Sequence, residues 1–247
     1  MSVLKTDTNK ILKTSSNKIR VGVKKISEIV DPSKIVSWFN ASDINLPIGS
    51  YVNSITGREG KDSATVTNTN TFTLQVDEQG YKYLSVFSTN RFNTTTSVAP
   101  NNNETLILVL NNKSVSNYVF GYVNGVVNGF VQISAFNLSY SNFTVGSGRL
   151  AVSSPATGGP FNRKIVVTGV MTGTAMYLYD GLVLIGTLNN PVLSSAGATT
   201  GSVFYPQVNT LAEEVCYYSI VRIQEALSGE KLKQTIRSVA FENGVKI

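Results

Sequence analysis

The 247-residue sequence predicts an all-β fold, an antiparallel β-sandwich with one short C-terminal helix and an extended N-terminal arm. Three observations predict it. Charged residues make up only 15% of the chain, while Val, Thr, Ser and Asn are abundant; branched side chains suit pleated, half-buried surfaces, and Asn, Ser and Gly supply turns. Asn124-Gly125, Asn128-Gly129 and Asp180-Gly181 punctuate short apolar runs, and such dipeptides tolerate the positive φ that tight hairpins require. Residues 163–189 read as two or three short strands, and residues 211–239 as a strand that hands over to an amphipathic helix. With 42% hydrophobic residues the chain can bury one sizeable core, so we expect residues 31–247 to form one domain and residues 1–30 an arm.

The arm carries the charge. Within residues 1–25, Lys5, Lys10, Lys13, Lys18, Arg20, Lys24 and Lys25 stand against Asp7 alone, which accounts for the whole formal charge of +6. Of the 21 basic and 15 acidic residues, fourteen of each remain in residues 26–247, so that remainder is neutral and has no long-range pull on nucleic acid. We expect the arm to dock on a partner, with Ile11, Leu12 and Ile19 inserted between the basic contacts.

The elements follow in order. Ile19, Val21 and Val23 alternate with polar residues as a strand does. Asp31-Pro32-Ser33 interrupts the chain, and residues 34–43 read as an aromatic-rich strand ending in a turn, with Trp38 in the core. Residues 52–66 read as a short strand, a polar Gly-rich turn and a return. Residues 82–87 and 104–112 are central strands, the second so continuously apolar that both its faces should be covered. Residues 118–137 read as successive strands with turns at the two Asn-Gly dipeptides. Two long loops, 153–162 and 189–202, are rich in Gly, Ser, Thr and Pro. The final helix starts near Ser228 as N-cap, with Glu230 in its first turn and Leu232, Ile236 and Val239 as its buried stripe.

Several of these pieces occur in a familiar order. A Trp-bearing strand runs into Asn40-Ala41-Ser42-Asp43, a Gly-rich turn precedes Ala64-Thr65, and Ala226-Leu227-Ser228 leads to Leu232 in a helix after the last strand. Over residues 31–240 this order resembles the concanavalin A-like (laminin G-like) jelly rolls. The resemblance implies a jelly-roll sandwich and a surface for adhesion or glycan binding, as in virion proteins of bacteriophage tails, fibres or head decorations.

The residue inventory argues against catalysis. The chain has no histidine, which removes His-dependent triads and His-liganded metals. The single cysteine, Cys216, lies in an apolar run and should be buried. Glycoside hydrolysis needs two converging carboxylates, whereas Asp77-Glu78 and Glu213-Glu214 are neighbours that point to opposite faces of a strand. No closely spaced Asp cluster suggests calcium, so no metal or cofactor is expected. No apolar run reaches the ~20 residues of a membrane-spanning helix, and no secretory signal is expected from the first residues.

The expectation is therefore a non-enzymatic protein of a bacteriophage virion, part of a homo- or hetero-oligomer. Its partners would be other virion proteins, gripped by Lys5, Lys10, Ile11, Leu12, Lys13, Lys18, Arg20, Lys24 and Lys25, and a host surface glycan. Phe161, Asn162, Arg163 and Tyr205 are the glycan-binding candidates, since aromatic rings stack on sugars while amides and guanidinium groups bond hydroxyls. The alternatives are a secreted or cell-surface adhesin module and, behind it, a glycoside hydrolase.

Overall fold

A computed structural model describes residues 12–13, 19–20, 23–66, 69–86, 92–97, 103–113, 116–124, 126–134, 137–141, 150–153, 163–189, 200–203 and 214–247. In the strands between Ser116 and Ser153, and in Thr200–Val203, it describes the backbone path.

The elements run in this order. β1 (Leu12–Lys13) pairs with β2 (Ile19–Arg20), so the alternating run at 19–23 gives a two-residue pairing here. The single-turn helix α1 (Ile26–Ile29) follows, and then β3 (Ile35–Asn40), β4 (Ser54–Thr56), β5 (Ser63–Val66), β6 (Phe72–Val76) and β7 (Lys82–Val86). Next come β8 (Phe92–Ser97), β9 (Glu104–Asn112), β10 (Ser116–Asn124), β11 (Val126–Ser134), β12 (Asn137–Ser141) and β13 (Leu150–Ser153). The chain closes with β14 (Lys164–Met171), β15 (Ala175–Asp180), β16 (Val183–Asn189), β17 (Thr200–Val203), β18 (Val215–Ile223) and α2 (Gly229–Glu242).

Apart from the β1–β2 pair, the strands form two antiparallel sheets packed as a sandwich. One runs β13-β12-β11-β10-β17-β8-β5-β4; the other runs β16-β15-β14-β9-β18-β7-β6, with β3 also on β18. β18 is the hub of the second sheet. One side pairs with β9 along its length, and the other pairs with β7 through Val215–Tyr217 and with β3 through Ser219–Ile223. Every residue of β18 is buried.

The second sheet is covered on both faces. Leu106, Leu108, Leu110, Ile165, Val167 and Met171 point into the core between the sheets. Ile107, Val109, Val166 and Val170 point the other way, into a second core beneath α1 and α2. This is why residues 104–112 read as continuously apolar. In β18 the alternation changes phase: Val215, Tyr217 and Ile220 enter the inter-sheet core, whereas Cys216, Tyr218, Val221 and Ile223 enter the outer one. The cause is a bulge at Tyr218, since Tyr217 faces Leu110 and Ser219 already faces Val109. Trp38 is 3% exposed in the outer core, as expected, and Cys216 is buried there too. At one end of the inter-sheet core, buried Arg222 bonds buried Glu104 at 3.0 and 3.2 Å.

α2 forms because its stripe of Leu232, Ile236, Val239 and Ala240 has the outer core to fill. Ser228 occupies the N-cap position but makes no side-chain capping bond. The C-terminus is a Schellman motif: Val245 N–H donates to Ala240 O and Gly244 N–H to Phe241 O. Gly244 has φ +69°, and a Cβ there would lie 2.1 Å from the Tyr81 ring, so only glycine fits. Ile26 and Val30, grouped with the arm on sequence, are buried in the outer core, and Ser238 Oγ donates to Lys24 O.

One turn expectation needs correction. β11 runs straight through Asn128-Gly129, because Gly121 pairs with Phe130 and Tyr122 with Asn128, which leaves Gly129 as an extra residue. The dipeptide makes a bulge inside the strand, a place glycine marks as often as it marks a turn.

Candidate ligand-binding cleft

A cleft of about 300 Å3 opens where β3, β4 and β7 meet at one flank of the sandwich. Alternation builds its floor: Phe39 on β3, Ile55 on β4 and Leu84 on β7 turn inward and belong to the inter-sheet core. Its rim is polar, with Asn40, Asp43 and Asn45 on one side and Ser54 and Thr56 on the other. Leu46, 42% exposed, forms an apolar lip. An apolar floor with a few convergent polar groups is the usual make-up of a small-ligand site.

The walls are tied down. Asn40 Oδ1 accepts from Ser42 N–H at 2.9 Å and caps the single turn Ala41–Asp43. Asn40 Nδ2 reaches Asn243 Oδ1 beyond α2 at 3.4 Å. Lys82 Nζ donates to Ile44 O at 2.7 Å. Arg58, in the turn between β4 and β5, is the clamp. Its guanidinium pairs with Asp43, donates to Glu242 Oε2 at 2.6 Å and to Ser42 Oγ at 3.2 Å, and lies 5.1 Å from the Trp38 ring centre. Burial works against its charge, but the hydrogen bond to Asp43 and the pairing with Glu242 prevail, so the pKa of Arg58 rises above its ordinary value. The turn is tight for a reason: a Cβ on Gly57 would meet Lys61 O at 1.8 Å.

The described carboxylates are mostly structural. Asp43, Asp77, Asp180, Glu104, Glu214, Glu225, Glu230 and Glu242 each face a Lys or Arg. Asp77 caps its own turn, accepting from Gln79 and Tyr81 N–H, and bonds Lys164 Nζ at 2.6 Å. Burial pushes its carboxyl up, but the Lys164 ammonium and the two backbone N–H groups outweigh this and hold it below the ordinary carboxylate value. The same ammonium lies 4.0 Å from the Tyr218 ring centre and 4.3 Å from that of Tyr81. Glu214 takes Ser85 Oγ–H at 2.6 Å and pairs with Lys113. Burial, reinforced by Cys216 and Glu214, pushes the neighbouring Tyr83 up to about 12. Among the described residues, no group of three or more Cys, Asp or Glu gathers to hold a metal.

Of the sequence-derived glycan candidates, Arg163 is described. It sits at the start of β14, pairs with Asp180, and lines a second, shallower cleft of about 440 Å3 with Leu182, Val183, Val245 and Ile247. Phe161, Asn162 and Tyr205 lie outside the described residues. So do Lys5, Lys10, Ile11 and Lys18 of the arm, while Leu12, Lys13 and Arg20 lie in the β1–β2 pair. Lys24 is exposed beside α2, and Lys25, also exposed, is the N-cap residue of α1. The clamp has no signal in sequence, since Arg58 meets partners 15 and 184 residues away.

The fold and cleft together define an antiparallel β-sandwich with a preformed surface site. No protein-family model matches the chain, and no curated protein does. Solved structures are similar in fold. The binding domain of Paraclostridial Mosquitocidal Protein 1 superposes with TM-score 0.61 at 10% identity, over 84% of this chain and 52% of that one. The binding domain of Botulinum Neurotoxin DC, solved in complex with SialylT, gives 0.61 at 12% identity over 83% and 52%. The receptor binding domain of the botulinum neurotoxin C/D mosaic serotype gives 0.61 at 10% over 83% and 51%. The likeness is one of fold, and this chain spans about half the length of those domains.

Proposed function

We propose that this chain is a non-enzymatic recognition module that takes a neutral sugar unit of a surface glycan into the cleft between β3 and β4. The observation that carries the proposal is the cleft's chemistry. Above the buried Phe39, Ile55 and Leu84, Ile44 and Leu46 offer apolar surface for the C–H face of a sugar ring, while Asn45, Ser54 and Thr56 offer amide and hydroxyl groups for its hydroxyls. The tied walls reduce the ordering cost of binding. Asp43, the only carboxylate lining the described cleft, is held by Arg58, and hydrolysis needs a pair. Similarity to domains solved as binding domains fits the same reading.

The test is a glycan array probed with the full chain, followed by calorimetric titration of the best hit. We expect saturable binding, and an Asn45→Ala variant of unchanged thermal stability that binds about tenfold more weakly, the effect of one net hydrogen bond. An array without hits, or Asn45→Ala and Thr56→Val variants that both bind as tightly as the parent, would sink the assignment.

A finer form of the proposal sets the module on a bacteriophage virion, tethered to a neighbouring subunit through the cationic leader. The concentration of the net charge in residues 1–25 supports it. Deletion of residues 1–22 spares the Ser238–Lys24 bond; it should leave folding and sugar binding intact while removing the chain from purified particles. Normal incorporation of the truncated chain would refute the tether.

A further inference from the structure

The wall of the cleft takes its position from α2. Residues 41–46 leave β3 as a single turn and a loop, in no strand ladder among the described residues. α2 is fixed along its length: Leu232, Ile236 and Val239 fill the outer core, and the closing turn seats Gly244 against the Tyr81 ring.

Two residues at the end of α2 reach that wall. Asn243, 2% exposed, donates through Nδ2 to Val239 O at 2.8 Å, which turns its Oδ1 toward Asn40 Nδ2, 3.4 Å away. Glu242 Oε2 accepts from Arg58 Nη1 at 2.6 Å. The other edge of the same guanidinium serves the wall: Nη2 donates to Asp43 Oδ1 at 3.0 Å and to Ser42 Oγ at 3.2 Å. Asp43 and Ser42 lie on the turn that is being held, whereas Glu242 lies on α2. The Trp38 ring, 5.1 Å away, attracts the cation without fixing it in the plane of the ring.

We infer that Glu242 is a positioning residue for the cleft. It does not line the cleft and acts through Arg58 on Asp43 and Ser42, so the C-terminal end of α2 sets the rim that Asn45 continues. Its side chain is 12% exposed against 34% for Asp43, so the ion pair on the α2 side is the less screened of the two. Without it, clamp and turn are free to shift together away from α2. This role rests on the cleft being the sugar site.

The placing of Arg58 can be read without sugar, because Trp38 beside it is the only tryptophan in the chain. The test compares intrinsic fluorescence and calorimetric titration with the array-selected sugar for the full chain, Glu242→Ala, Arg58→Met, the double variant and Glu230→Ala. Glu230 is a surface carboxylate at the far end of α2 and serves as the control. We expect Glu242→Ala to shift the Trp38 emission in the direction that Arg58→Met shifts it, and to weaken sugar binding about fivefold, the effect of one net hydrogen bond. Added to Arg58→Met it should weaken binding no further, since it acts only through the guanidinium. Glu230→Ala should match the parent in both measurements. Should Glu242→Ala fail to fold, Glu242→Gln, which keeps the shape and drops the charge, takes its place. A folded variant with parental emission, with parental affinity, or with an undiminished loss in the Arg58→Met background overturns the inference. If the parent binds no sugar, the cleft reading falls, and the emission alone decides whether Glu242 places Arg58.

Discussion

The β3–β7–β6 flank and the β15–β16 flank of one sheet have the same antiparallel ladder and opposite finishes. On the first, residues 49–52 cover the edge strand, and Arg58 and Lys82 fix the adjoining loop. The chain completes its own contacts there and leaves a small cleft with a polar rim. On the second, β16 pairs with β15 alone among the described residues, and Val183 and Leu184 are exposed along an uncharged strand. The larger cleft, about 440 Å3 against about 300 Å3, lies on this second flank with a mostly apolar lining. The difference teaches that the chemistry of the lining, and whether the chain has finished its own edge, says more about the kind of ligand than volume does.

The contrast is tested hardest at the clamp. Arg58→Met leaves Asp43 and Glu242 without their cation, and we expect stability to fall by about 2 kcal/mol. That is less than the cost of breaking a fully buried pair, because Arg58 is partly screened by solvent. Sugar affinity should drop more than tenfold. Chemical denaturation and titration measure the two effects separately.

A smaller effect comes from pH. The Asp77 carboxyl is depressed in the folded state, so its contribution is complete above the unfolded carboxylate value and is lost as pH falls through the lower folded value. Acid should therefore loosen the β6–β7 turn, and Asp77→Asn should flatten the dependence of melting temperature on pH below about 4. The smallest effect concerns Cys216, whose thiol is pushed up by burial first and by Glu214 second. In the folded protein it should stay unreactive to thiol reagents at pH 8, and labelling should require denaturant.

Much of the fold was legible because it rests on local rules. The doubly covered strand 104–112 showed itself as an unbroken apolar run, the Asp180-Gly181 turn as a φ-tolerant dipeptide, and α2 as an i, i+4, i+7 stripe. Asn128-Gly129 misled because a bulge and a turn draw on the same residues. The cleft between β3 and β4 was not legible. Its floor looked like ordinary strand core, and its walls are held by Arg58–Asp43, Arg58–Glu242 and Asn40–Asn243, contacts between distant segments that leave no periodicity. The bare edge was half visible: residues 183–189 lack charge in sequence, but only the strand order puts them at the end of a sheet.

Hydrogen exchange of the full chain, followed by residue with and without the array-selected sugar, tests the division between flanks most directly. The account predicts that the sugar slows exchange in 40–56 and leaves 183–189 alone. Protection of both segments, or of neither, would contradict it.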